Sequence, residues 1–187
     1  MAPINPIIDS RTCFAKAICG TTAPEGIIKS LCLMDVDYFS FDGHLHQGQL
    51  VVHESVRKDI SEIFSMIEKS RFSISRVIPI AKYNWSDEAS MADNNTSAFN
   101  YRFIAGTETL SNHAWGMAID INPFLNPVIH QDGRAEPIDA VYEPKNGGTF
   151  CETHPIVCEF LTRGWRWGGR FESSKDYHHF DKYTPIL

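Results

Sequence analysis

Two stretches, far apart in sequence, carry residue types that bind metals and move protons. The first is Ser111-Asn112-His113-Ala114-Trp115-Gly116-Met117-Ala118-Ile119-Asp120-Ile121-Asn122-Pro123, and the second is Lys175-Asp176-Tyr177-His178-His179-Phe180-Asp181. In the first, Trp115, Met117, Ile119 and Ile121 alternate with Gly116, Ala118, Asp120 and Asn122, the period of a strand packed on one face. Asp120 then points away from the apolar set, and a carboxylate so deep in an apolar strand is costly unless paired or bound to a metal. Pro123 closes the strand because it has no N–H for a ladder. His113 falls just before the strand, in a turn-like composition. That spacing sets one ligand on a loop and one on the strand it feeds, and asks for a further ligand from elsewhere.

The second stretch supplies it. Asp176 and His179 are three residues apart, a new strand starts near His179, and a turn across Tyr177 sets Asp176 over a metal held by His179. His113, Asp120 and His179 together leave one coordination position for water, the pattern of a catalytic zinc site; a structural site fills all four. Zinc lowers the pKa of its water to about 7. Asp176 is the candidate base, taking the proton as water attacks a carbonyl and returning it to a leaving amine. Arg102, within the aromatic run Tyr101-Arg102-Phe103, reads equally as a surface residue or as a cation in the same cleft that polarises the carbonyl and steadies the oxyanion.

Other histidines have blander readings. His44 and His46 fall on one face of a possible strand, with His53 beyond, but no acidic residue joins them, and an exposed or substrate-flanking loop is preferred. His130 is read as having no chemical role, and His154 as a solvated residue at a helix start. Strand alternation lets only one of His178 and His179 face the metal; the other lines the pocket or holds Asp176.

The elements that must position these groups are unevenly legible. Val52, Val56, Ile60, Ile63, Phe64 and Ile67 recur at helical spacing, predicting a helix over 52–69. Phe72, Ile74, Ile78 and Ile80 predict a strand, with Pro79 favouring its edge or end. Residues 84–97 read as a long polar loop before an aromatic strand at 99–104, and 126–148 as a Pro/Gly-rich loop flanking the site. A helix opens at the Thr153 cap with Pro155 in its first turn and ends at Gly164. Trp165-Arg166-Trp167 is a strand cut by Gly168 and Gly169, glycines that let another backbone or a ligand come close. In residues 1–50, a short helix within 9–18, a turn over 19–25 and a strand within 31–41 are the available readings. Helix followed by strand indicates an α+β class.

A length of 187 residues suits one domain, 1–187, with 1–50 as an N-terminal extension or subdomain. Twelve Phe and four Trp argue against disorder. A formal charge of -6 without a Lys/Arg block argues against nucleic acid as a partner. No apolar run reaches the length of a membrane span and no export signal opens the sequence, so the chain as written starts in the cytoplasm unless a signal has been removed. Five cysteines without a C-x-x-C pair form neither a disulfide framework nor a zinc-thiolate signature, leaving one disulfide open.

Ser111-x-His113-x-x-Gly116-x-Ala118-x-Asp120 and Asp176-x-x-His179 resemble the two motifs of the VanY-like D-alanyl-D-alanine carboxypeptidases, zinc D,D-peptidases grouped with VanX-like dipeptidases and phage L-alanyl-D-glutamate endopeptidases. Gly164-Trp165-x-Trp167-Gly168-Gly169 is typical of the VanY-like and endolysin branch. The resemblance runs from about Phe99 to Phe180. It implies a small, mostly antiparallel sheet packed against helices in a hedgehog/D,D-peptidase-like zinc fold. It also implies His113, Asp120 and His179 as zinc ligands, Asp176 as base and Arg102 as the substrate-facing arginine. The implied substrates are peptidoglycan peptides or muropeptides containing D-amino acids, met in the periplasm or outside the cell. D-Ala-D-Ala carboxypeptidase is preferred, with an endolysin-like endopeptidase or a non-hydrolytic zinc-bearing binding domain as alternatives.

Overall fold

The computed structural model describes residues 5–183 and builds a mixed α/β arrangement with four small sheets, not the one small sheet expected. From the N-terminus come β1 (Ile7–Ile8), α1 (Phe14–Ala17), α2 (Glu25–Lys29), β2 (Leu31–Phe39) and β3 (Leu45–His53). β2 and β3 form an antiparallel hairpin from Leu31 opposite His53 to Phe39 opposite Leu45, and β1 adds parallel to the far edge of β3. β3 is covered on both faces. Leu50 and Val52 enter the main core, while Val51 joins a second cluster with Ala17, Ile27 and Phe99, the two-residue alternation of a strand.

Next comes α3 (Arg57–Ser70), whose Ile60, Ile63, Phe64 and Ile67 make the buried stripe of an amphipathic helix. The predicted helix began five residues too early. Val52 happens to share the helical spacing, but its backbone is paired to Cys32 in the hairpin. Of the predicted strand at 72–80 only β4 (Arg76–Val77) forms. The 84–97 loop holds α4 (Asp87–Ala92) and β5 (Asn95–Thr96). Its Ser/Asp content is a helix start: Ser86 Oγ accepts from the Ala89 N–H, and Asp87 and Glu88 occupy the first turn. β4 and β5 pair parallel. Residues 99–104 make only the isolated bridge Phe103 to Leu110.

The remaining elements are β6 (Ala118–Asp120), β7 (Val128–His130), β8 (Ala135–Glu136), α5 (Pro155–Thr162), β9 (Arg166–Trp167), β10 (Ser174–Asp176) and β11 (His179–Asp181). The long loop after Pro123 therefore contains a hairpin, β7–β8, to which β10 adds. β6, β11 and β9 form a further antiparallel sheet. α5 starts at a His154 cap, one residue after the expected Thr153; its ring accepts from the Ile156 N–H and packs edge-on to Phe72. His154 is half-buried.

One buried cluster joins these parts: Met34, Val36 and Tyr38 of β2 and the α3 stripe meet Ile119, Phe150, Phe160 and Phe180. Phe180 stacks on Phe160 with ring centroids 4.0 Å apart and takes Phe150 edge-on at 5.2 Å. The site strand β11 is thus anchored by Phe180 while its alternate residues, His179 and Asp181, face the other way. All five cysteines are free. No helix among the described residues is long and apolar enough to cross a membrane.

His46 is buried, against the expectation of an exposed loop, while His44 lies outside the strand and exposed. The His46 ring sits between two carboxylates, with Nδ1 2.9 Å from Asp9 and Nε2 3.0 Å from Asp42, and Asp9 also receives the Tyr38 hydroxyl. Burial pushes the imidazole down, but the hydrogen bonds to Asp42 and Asp9 outweigh it and raise His46 above 6.5. A raised histidine stabilises the fold fully below its unfolded pKa, and that contribution is lost as pH rises through the folded value. His46→Gln is expected to lower Tm by about 3–8 °C near pH 6, from ~1.5–2 kcal/mol for charge-assisted hydrogen bonds. The wild-type-minus-variant gap should narrow above pH 6.5 in thermal melts. A gap that widens with pH would contradict this.

Candidate metal centre and cleft

His113 lies in a single 3-10 turn, Asn112–Trp115, where a loop was expected. Ser111 Oγ accepts from the His113 N–H at its start, and Gly116 ends it with φ of 67°. A Cβ on Gly116 would stand 2.6 Å from the His53 nitrogen. Glycine is therefore required both for the left-handed backbone and for the close pass beneath β3. The predicted strand shortens accordingly to Ala118–Asp120.

Antiparallel pairing of β6 and β11 sets His179 directly opposite Asp120. One nitrogen or oxygen from each of His113, Asp120 and His179 lies within 4.8 Å of the other two. The neighbours fix which atoms these are. His113 Nδ1 is 2.5 Å from the Ala98 carbonyl, which can only accept, so Nδ1–H donates and Nε2 faces inward with a lone pair. His179 Nε2 lies 3.3 Å from Asp181 Oδ2, turning Nδ1 inward. His113 Nε2 and His179 Nδ1 are then 3.1 Å apart, with Asp120 oxygens 3.1 Å from the first and 2.9 Å from the second.

Three acceptors thus converge where His113 and Asp120 have side chains only 3% and 5% exposed. Such a set needs a cation or a proton among its members. When protons supply that charge, burial would push the Asp120 carboxyl up, yet the charges of His113 and His178 and the hydrogen bonds from His113 and His179 hold it well below the usual range. Burial likewise opposes charge on His179, but Asp120 and Asp181 raise it well above 6.5. The donor set of two imidazoles and one carboxylate, with outer hydrogen bonds on both rings, fits a divalent metal such as zinc.

Asp176 stands on β10, half-buried, beside this group. Gly168 permits the approach, since a Cβ there would meet the Asp176 carbonyl oxygen at 2.4 Å. Asp176 Oδ1 is buried and receives no hydrogen bond from the described residues. His178 Nε2 is 3.1 Å away, but the Asn126 carbonyl, 2.8 Å from His178 Nδ1, takes that ring's N–H. His178 lies outside the three-residue group, and its nearest approach to Asp120 is 3.9 Å.

His113, Asp120, Asp176, His178 and His179 line one cleft of about 1120 Å³, which also contains Arg102. Arg102 is held at the rim by Asp87 of α4, Nη2 to Oδ2 at 2.7 Å. On the other side Asp181 carries more than His179. It takes a fork from Arg166 at 2.8 and 2.6 Å and the Asn112 amide at 2.8 Å. Asp181 shares a strand face with His179 two residues away, so His-x-Asp at a strand start was the available signal. Asp87 had none, because its helix read as loop. His130, read from the sequence as having no chemical role, lines the cleft together with Glu136.

Residues 105–182 match the D-alanyl-D-alanine carboxypeptidase family model. The match bears out the resemblance carried by the two motifs, and it contains His113, Asp120, Asp176, His179 and Asp181. By its description the family is one of peptidases, hence of hydrolases. Arg102 and Asp87 lie N-terminal to the matched segment. No curated protein and no solved structure matches the chain.

Proposed function

We propose that this protein is a zinc peptidase that hydrolyses a peptide bond in bacterial cell-wall peptides containing D-amino acids, with D-alanyl-D-alanine carboxypeptidase as the preferred activity. The observation that carries the reading is the convergence of His113 Nε2, Asp120 and His179 Nδ1 beside an unsolvated Asp176 carboxylate oxygen, on the wall of an open cleft. The family description supports the choice of substrate.

Those three side chains would hold the metal. Zinc supplies a Lewis acid that makes water nucleophilic near neutral pH and polarises a carbonyl. Asp176 Oδ1 accepts a proton from the attacking water and returns it to the leaving amine; an oxygen with no competing hydrogen bond is poised for both. Arg102, steadied by Asp87, donates toward the developing oxyanion. Asp176 and Arg102 on one cleft favour an enzyme over a non-hydrolytic binding module. We read residues 1–187 as one domain of the hedgehog/D,D-peptidase-like type, since β2, β3 and α3 share a core with the site strands. Wall peptides place its work in the periplasm or outside the cell.

The test is incubation of the zinc-loaded protein with a defined pentapeptide-bearing muropeptide, with products read by mass spectrometry. Loss of one terminal alanine is expected. A cut after L-Ala would assign an endopeptidase, and an intact muropeptide would overturn the peptidase reading.

A further inference from the structure

The sheet β10–β7–β8 forms one wall of the cleft. Asp176 pairs with Val128, which pairs with Glu136, and Ser174 pairs with His130. Residues directly opposite in an antiparallel ladder point to one face, as do residues two apart along a strand. Asp176, Ser174, Val128, His130 and Glu136 therefore share a face, and all five line the cleft; Lys175, Ile129 and Ala135, on the alternate positions, do not. Glu136 and His130 thus stand on the same surface as the proposed base.

The charges in the cleft are unevenly matched. Arg102 is taken by Asp87 and Arg166 by Asp181. Arg134, on the same hairpin as Glu136, is tied to Asp132 at 2.6 Å. Glu136 has no Lys or Arg partner among the described residues; its contact is His130 Nε2, 3.1 Å from Oε2, which orients the carboxylate. On the functional reading above, we propose that Glu136, oriented by His130, recognises a primary ammonium group on the peptide substrate.

Reach supports this. Glu136 is two strand spacings from Asp176, about 10 Å between backbones. An extended peptide advances about 3.3–3.6 Å per residue. A substrate whose reacting bond lies beside Asp176 therefore meets Glu136 with a long aminoalkyl side chain on the first or second residue from that bond. A diamino residue within a wall peptide has that chemistry.

The test uses the zinc-loaded full chain and two synthetic peptides that differ only in whether the diamino residue carries a free or an acetylated side-chain amine. Wild type is expected to favour the free amine by about twofold to fivefold in kcat/KM, the scale of an exposed ion pair. High salt should compress the ratio, and Glu136→Gln should bring it to about one. Glu136 is exposed, so the substitution leaves the fold unstrained. A wild-type ratio near one, or an undiminished ratio in the variant, overturns the proposal. Should wild type cleave neither peptide, the peptidase reading fails on its own, and calorimetry with the two intact peptides decides. Tighter binding of the amine that vanishes in Glu136→Gln supports the subsite, and equal binding overturns it.

Discussion

Asp176→Asn is expected to lower kcat on a wall peptide by about 10²–10⁴-fold, the range for loss of a general base, while the protein retains its full metal content. Asparagine keeps the shape of the side chain but has no carboxylate to take a proton. Oδ1 of Asp176 makes no hydrogen bond that the amide would have to replace. Asp176 is also outside the group formed by His113, Asp120 and His179, so the proposed ligands stay intact. His113→Ala should show the reverse order of events. Removing the Nε2 that faces Asp120 and His179 takes away one of three donors, and metal content and turnover fall together. Metal quantitation and turnover on the same preparations, with thermal melts to verify folding, separate the two. An asparagine variant that turns over within tenfold of wild type would remove Asp176 from the base role, and one that loses metal would make it a ligand instead.

The convergence of His113, Asp120 and His179 was legible in the sequence because each member is marked by local chemistry that survives any error in the surrounding elements. Asp120 stood out as a carboxylate in an apolar alternation, and β6 does bury it, although only three residues of the predicted strand form. His113 was placed on a loop and is on a 3-10 turn; Gly116 forces that turn to end, and the geometry delivered is similar. Strand alternation allows only one of His178 and His179 to face the cavity, and the family resemblance points to His179; the ladder sets that residue opposite Asp120. What was illegible depends on partners distant in sequence. Val52 joined a helical pattern because nothing local reveals its pairing with Cys32. The hairpin of β7 and β8 was hidden in a Pro/Gly-rich stretch because its strands are two and three residues long, too short for any period to register. His130 and Glu136 were lost with it. Residues 1–50 read as uninformative, yet β2 supplies the buried face against which α3 packs, since a strand covered by a helix on one side and half-covered on the other shows no clean alternation.

Asp181→Ala is expected to weaken metal binding about 10–100-fold, the usual range for losing an outer partner of a ligand histidine, measured by competition with a chromophoric chelator. Asp181 is 3% exposed and its Oδ2 lies 3.3 Å from His179 Nε2. Burial pushes its carboxyl up, but hydrogen bonds from His179, Arg166 and Asn112 together hold it well below the ordinary carboxylate range. That charge keeps the proton on Nε2 of His179 and so keeps Nδ1 free to face Asp120. Alanine removes the charge and the shape; the ring then rotates and changes tautomer freely, and its lone pair points inward for only part of the time. Arg166 also loses its partner, but it is 54% exposed and can be hydrated in place, so the larger effect falls on His179. Asp181→Asn discriminates between these consequences. Its amide oxygen can still accept one arm of the Arg166 fork and its shape preserves packing, whereas its neutral group holds the imidazole less firmly, so affinity should fall between alanine and wild type. If chelator competition returned one affinity for all three proteins, His179 would be oriented by its pairing with Asp120 alone, and Asp181 would serve to pin Arg166 and Asn112.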